Sequence, residues 1–272
     1  MDNLETLSFV IFQDLSEDAV WRYASDSVKD LLGWSPEELL GTTFYNIVHP
    51  DEVDAARNLH YEHIQDDKAA TLTYLRLLHK GEDKYALCAF SRSVAHEFIV
   101  GAISLAVDDP GNARAAMARG GVFVLTPEAE HLSFRNWNRR VQLSNNIFTG
   151  SPNSYTIPIE DLHTSDRVCL LLDRFNSAAN VLHCTNDVII KADMITFKNL
   201  FQSIPSETDQ ASLGNAIHVV KNWRTHFDGK ADGIFAVCRF NMEVSKEPVT
   251  LKQVEGILAA TSDAVILVLK PA

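Results

Sequence analysis

The chain has no basic run, no apolar stretch long enough to cross a bilayer, and no two cysteines close enough in sequence to form a CxxC pair. Each absence removes a class of function. With 24 Lys and Arg against 36 Asp and Glu, the formal net charge is -12, which argues against a chain that itself grips a phosphate backbone. The acidity is read as ordinary solubility. The one locally basic stretch with an aromatic in it is RNWNRR, Arg135 to Arg140, read as a connecting element that pairs with acidic surface, ahead of a nucleic-acid contact. The opening MDNLETLSFV lacks a basic segment followed by a long apolar core, so no membrane association is expected and the protein is placed inside the cell, cytoplasmic or nuclear. Cys88, Cys169, Cys184 and Cys238 fall singly in strand-like apolar segments and read as buried thiols, with no metal site expected.

Catalytic signatures are missing too. The chain has no Walker loop, no GxGxxG after a strand, no HExxH and no kinase signature. Ser91, Ser93 and His96 are close in sequence, but neighbours on a strand alternate faces and no acidic residue stands at triad spacing. Asp51 and Glu52 are read as helix-start residues serving capping and the helix dipole. No enzyme is expected.

What is present is a compact series of helix signals between Ser25 and Val53, SDSVKDLLGWSPEELLGTTFYNIVHPDEV. Ser35, Pro36 and Glu38 make a capping box with proline in the first turn, and the helix ends at Gly41, a residue free to take positive φ. Thr43 to Val48 is an apolar single-turn element. In His49-Pro50-Asp51-Glu52, Pro50 breaks the helix and Asp51 is expected to cap the next one. Helices this short must close over a sheet. Strands are expected at Ser8 to Leu15, Ala19 to Ser25, Thr71 to Lys80, Tyr85 to Val94 and Phe98 to Val107, with tight turns at Ser16-Glu17-Asp18 and Gly81-Glu82-Asp83. The fold class is α+β, a five-stranded antiparallel sheet covered on one face by short helices.

The order of elements, with LLGWSPEELLG, HPDE and KGEDKY, closely resembles the PAS domain over about the first hundred residues. That family encloses a small pocket between sheet and helices, and often dimerises through the outer sheet face or flanking helices. The light-sensing LOV members carry a reactive cysteine in GxNCRFLQ. Here the matching segment is Gly41 to Val48, with Phe44 in the cysteine's place and the motif's Arg and Gln missing, so covalent flavin photochemistry is not expected. Bacterial haem-binding members use a histidine on the long helix. Its position falls at Arg57, while His60 and His63, three apart, share a helix face, one expected against the sheet and the other toward water. No cofactor is predicted, haem or flavin remaining the cofactors to test for.

A second unit repeats the plan. Residues 1–107 form the first domain, 108–163 a linker with a possible helix from Thr126 toward Arg140, and 164–272 a PAS-like second domain. In the latter, Val168 to Phe175 and Asn180 to Cys184 pair, and Thr196 to Ile204 stands where Thr43 to Val48 stood. A helix starting at Ser206 with Asp209 as its capping-box partner runs to about Trp223. Gly233 to Met242, Leu251 to Thr261 and Ala264 to Leu269 close the sheet. DRFNSAANVLHCTND and DGIFAVCRF resemble the later repeats of fungal white collar-like multi-PAS regulators.

Both faces of the Thr71 to Leu78 strand are bulky and apolar, so the outer face of the first sheet is expected to be covered by the linker, the other unit or a separate chain. The expected interaction surface is Leu72, Tyr74, Arg76, Leu78, Tyr85 and Leu87. The expected activity is a non-catalytic sensory and protein-interaction module of signalling or transcription regulation. Its partner would be a second copy or another PAS-containing protein. The alternative is a ligand sensor, for haem, flavin or an apolar metabolite, with a pocket lined by Val28, Leu31, Leu32, Phe44, Ile47, Val48, Leu59 and His60, and with Tyr74 and Cys88 reaching in from the sheet.

Overall fold

A computed structural model describes residues 7–106, 120–129, 162, 164–222, 235–246 and 248–272. The first unit opens with β1 (Ser8–Asp14) and β2 (Trp21–Ala24). Helices α1 (Ser27–Leu32) and α2 (Pro36–Leu39), 3₁₀ turns at Phe44–Ile47 and Pro50–Glu52, and α3 (Val53–Gln65) follow. Strands β3 (Thr71–His79), β4 (Lys84–Ala95) and β5 (Phe98–Leu105) complete the meander. The sheet order is β2-β1-β5-β4-β3, extended at the β3 edge by β6 (Gly121–Val124).

Strand β6 lies in the segment read as linker. It runs parallel to β3, pairing Leu72 with Val122 and Tyr74 with Val124. The first sheet therefore has six strands and mixed direction. A 3₁₀ turn, Pro127–Ala129, follows β6, while the expected helix toward Arg140 and the RNWNRR segment lie outside the described residues.

The second unit consists of β7 (Val168–Asp173), β8 (Val181–Cys184), α4 (Ala192–Ile195), a 3₁₀ turn at Leu200–Ser203, α5 (Glu207–Asn222), β9 (Ala236–Lys246), β10 (Val249–Ala260) and β11 (Ala264–Pro271). Its sheet order, β8-β7-β11-β10-β9, is that of the first five strands. The repetition extends to single hydrogen bonds. Ser25 Oγ accepts from Val10 N at 2.8 Å, and Thr185 Oγ1 accepts from Cys169 N at 3.0 Å. Thr43 and Asn199 each start a 3₁₀ turn by accepting the amide of the second residue on.

Local expectations mostly hold, with two exceptions. Glu38 Oε2 accepts from Ser35 N at 3.0 Å, and Gly41 sits at φ +77°. Asp51, however, does not cap α3. His49 Nδ1 takes the Asp51 amide at 3.3 Å and the helix starts only at Val53, because Glu52 is drawn into the interior. Half of the second capping box forms: Ser206 Oγ accepts from Asp209 N, whereas the Asp209 carboxylate turns to the Asn241 amide at 2.9 Å.

Three apolar layers result. One lies between the first sheet and its helices, one between the second sheet and its helices, and one between the outer faces of the two sheets. In the middle layer Val10, Leu72, Tyr74 and Val100 of the first unit join Leu171, Ile257, Ile266 and Val268 of the second. The outer face of the first sheet is thus covered by the other unit, which buries apolar area that would otherwise face water, while β6 widens the sheet at its β3 edge. Polar contacts flank the layer. Asp263 accepts from Ser25 Oγ at 2.5 Å and Ser27 Oγ at 2.7 Å, and Ser8 N donates to Ser262 Oγ at 3.0 Å.

Candidate functional site

Residues on one face of a strand recur every second position, and the inward face of β1 reads Phe9, Ile11, Gln13. That of β4 reads Cys88, Phe90, Arg92, Val94. Each carries one polar residue among apolar ones, Gln13 on β1 and Arg92 on β4, toward the same end of the sheet, with apolar Val94 beyond Arg92. Thr71 and Thr73 of β3 stand beside Arg92 at that end, and α3 lays His60 and His63 over it. The interior of the first unit therefore holds a polar cluster within its apolar core.

A cavity of about 10 Å³ lies at this cluster, lined by Gln13, Tyr45, His60, Thr73 and Arg92 together with Phe44, Phe90, Leu75, Leu125, Ala19 and Ala56. This is room for about one water. Haem or flavin needs a pocket of at least several hundred Å³, so neither fits this interior.

The electrostatics of the cluster are unusual. Arg92 is buried, its Nη2 donates to Thr73 Oγ1 at 3.2 Å, and its guanidinium carbon lies 5.1 Å from the Phe90 ring centre. No carboxylate pairs with it among the described residues, and burial pulls its pKa down to about 9. His60 Nε2 donates to the Ser16 carbonyl at 2.9 Å, so its Nδ1 is the bare nitrogen of the neutral ring. Burial, reinforced by Arg92, lowers the His60 pKa to about 4. His63 is lowered well below its ordinary value by burial, Arg92 and Lys68, and its ring meets Phe123 of β6 edge-on at 5.0 Å. Both histidines are buried, so neither faces water as expected. Both lie on the face of α3 that packs on the sheet, with Phe123 of β6 beside His63, while Asp54 and Gln65 of the same helix are exposed.

Of the pocket candidates, only Phe44 and His60 line the cavity. Val28, Leu31, Leu32, Ile47, Val48, Leu59 and Cys88 are packed into the surrounding core. Tyr74 lies on the opposite face of the sheet, in the layer between the units, because it is out of phase with Thr73 and Leu75. Among the surface candidates, Leu72 and Tyr74 are buried in that same layer, with Leu87 packed at its edge. Leu78 packs against the inner core instead, and Tyr85 stacks edge-on against His49 at 4.5 Å. Arg76 is an internal clamp. Its Nε meets Glu52 Oε1 at 2.5 Å, its amide donates to Glu52 Oε2 at 2.7 Å, and Nη1 reaches Glu128 at 3.1 Å. Arg57, at the haem-ligand position, lies over the Tyr45 ring at 4.2 Å and pairs with Asp18.

The other reactive residues are occupied. The four cysteines are free and buried, and burial raises all four thiols, Cys184 to about 11 and Cys238 to about 12. Ser91 Oγ donates to Ala102 O, and Ser93 Oγ accepts from Ala70 N. Among the described residues no group of three or more metal-ligating side chains occurs, and no helix is long and apolar enough to cross a membrane.

A family model described as the PAS fold matches residues 22–91. A PAS domain is recognised over these residues. Among solved structures, the N-terminal domain of a diguanylate cyclase with PAS/PAC sensor from Marinobacter aquaeolei is 14% identical, covering 36% of this chain and 94% of that one at a TM-score of 0.32. The PAS-B domain of Drosophila melanogaster Cycle with bound ethylene glycol is 17% identical, covering 36% and 98% at 0.31. The Cronobacter turicensis RpfR quorum-sensing receptor PAS domain in complex with BDSF is 13% identical, covering 38% and 97% at 0.32. At such scores the likeness carries no argument about what this chain binds. No curated protein matches the chain.

Proposed function

We propose that this chain is a non-catalytic tandem PAS module of intracellular signalling, in which the interior of the first PAS domain is read out through the packing of its sheet on the second unit. One observation carries the reading. Arg92 on β4 lines the polar cavity on the inner side of the sheet, and Ser91, Arg92 and Ser93 also line a second small cavity on the outer side, closed by Phe235, Ile257 and Ile266 of the second unit. A change in what the inner cavity holds shifts β4 and therefore the packing between the sheets, which is a differential contact of the kind a two-state switch needs.

The output is partner binding, by a second copy or another PAS-containing protein, in regulation of signalling or transcription. Exposed Phe175 and Phe197, 80% and 82% accessible, support a partner surface on the second unit, since Leu72 and Tyr74 are already covered. Kinship with white collar-like regulators rests on DRFNSAANVLHCTND and DGIFAVCRF alone.

Hydrogen exchange on the full chain tests the coupling. Ile257→Ala opens space on the outer side only. The reading expects faster exchange in α3 and β4 as well as in β10. Exchange that changes in β10 and its neighbouring strands while α3 stays as in the parent sinks it.

A further inference from the structure

Three donors in the first PAS interior have no partner among the described residues or are only partly used: the Gln13 side-chain amide, the Arg92 Nε–H and the rest of the Arg92 guanidinium. They line one cavity, and that cavity is sized for a single heavy atom. A guanidinium keeps its charge even when buried, and a buried charge without a counter-charge is costly. The groups facing the cluster from each packed element do not offset this charge. Arg57 of α3 and Lys68 of the loop after it are cations already paired with Asp18 and Asp66, His63 of α3 is held neutral by burial, and Tyr45 of the 3₁₀ turn brings a phenol. The nearby carboxylate is Asp14 at the end of β1, which is already matched by Arg22 at 2.7 Å and by the amides of Ser16 and Val20.

We propose that this cavity binds one chloride-sized monoanion, held by the Arg92 guanidinium and the Gln13 amide and closed in by Phe44, Phe90 and Leu125. A water molecule could accept the same hydrogen bonds but would leave the guanidinium charge uncompensated. A carboxylate or phosphate is too large unless Phe44 or Leu125 moves. His60 gives the site its pH dependence. Its Nδ1 bears a lone pair in the neutral ring and would face the anion, so the ring takes up one proton from solvent as the anion enters, becoming a donor on both nitrogens. Anion and proton therefore bind together, and anion affinity rises as pH falls, by up to tenfold per pH unit. This inference rests on the sensory reading of the first PAS domain and names its ligand class. It concerns binding alone, so it can fail while the coupling between sheets, tested by Ile257→Ala, stands.

The test is thermal unfolding of the full chain while sodium chloride replaces sodium gluconate at constant ionic strength, at pH 8 and pH 6. The expected result is a saturable rise in Tm with chloride and bromide, with half-saturation at pH 6 ten- to a hundredfold lower than at pH 8. His60→Gln should flatten the pH dependence, and Gln13→Leu should weaken binding at both pH values. Arg92→Met should abolish the effect. Should that variant not fold, a bromide-soaked crystal of the parent decides, with an anomalous peak beside Arg92 expected. Equal Tm in chloride and gluconate, a salt response that survives Arg92→Met, or a cavity holding water only would each overturn the proposal.

Discussion

Arg167 of the second unit donates from Nη1 to Oδ1 of Asp67 in the first at 2.5 Å, across a hundred residues of chain. The same guanidinium also donates to the carbonyls of Val94 and Asp67 at 3.0 Å, so a largely buried cation ties the end of α3 and the end of β4 to the start of β7.

Removing one member of such a pair leaves the other buried without its counter-charge. Asp67 sits at φ +47°, a conformation asparagine tolerates, so Asp67→Asn deletes the charge without straining the backbone. It should lower stability by about 2 kcal/mol, a value reduced from the fully buried case because the carboxylate is partly exposed. Denaturant midpoints of Asp67→Asn, Arg167→Met and the double variant check this. The double variant should cost less than the sum of the two.

Glu52 and Arg76 provide a sharper contrast inside the first domain. Glu52 is almost fully buried and meets both the backbone amide and the side chain of Arg76, whereas Glu128 touches the same guanidinium from an exposed position. Glu52→Gln should destabilise by about 3 kcal/mol, while Glu128→Gln should cost under about 1 kcal/mol. Equal midpoints for the two variants would show that the clamp is held by Arg76's packing and not by the buried charge.

Much of this architecture can be read from residue patterns, and the parts that cannot have identifiable causes. The Ser35 capping box, the Pro50 break and the alternating strands are local signals, and they place the elements of both units. Strand β6 carries no such local signal, because Val122-Phe123-Val124-Leu125 is a short apolar run just after a Gly-Gly pair and its partner β3 lies about fifty residues away. The polar cluster was equally open to view. Gln13 and Arg92 fall in phase with Phe9, Ile11, Cys88 and Phe90, and a polar residue at an inward position of an apolar strand is the sign of an interior polar site. The apolar pocket candidates other than Phe44 form the core around this cluster instead.

Gly101 of β5 and Gly256 of β10 face opposite tests of close packing. A Cβ at Gly101 would lie 2.1 Å from the Ser91 carbonyl oxygen and 2.7 Å from Phe90, so backbone would have to move in the strand that separates the two cavities. At Gly256 the nearest atom is the end of the Leu267 side chain at 2.8 Å, which can turn away. Gly101→Ala should cost about 3 kcal/mol and Gly256→Ala about 1 kcal/mol. Thermal unfolding of the two variants side by side decides it, and a milder effect at Gly101 would mean that β4 and β5 separate easily.

Acid should weaken the first domain earlier than carboxylate protonation alone would. His60 is neutral in the folded protein, with its pKa lowered to about 4 by burial and by Arg92, while in the unfolded chain it titrates near 6.5. Between those values the unfolded state holds the extra proton. The stability this histidine contributes is complete above about pH 6.5 and is lost as pH falls toward 4. By pH 5 the loss from His60 is about 2 kcal/mol, and His63, lowered by the same burial, adds to it in the same direction. Denaturant unfolding in gluconate buffers from pH 8 to 5 should show this slope, and His60→Gln should reduce it by about one proton's worth. In chloride the slope should be shallower, because an anion beside Arg92 stabilises the protonated ring in the folded state. A slope that is steep in both salts would assign the acid sensitivity to burial alone and leave the anion no role in it.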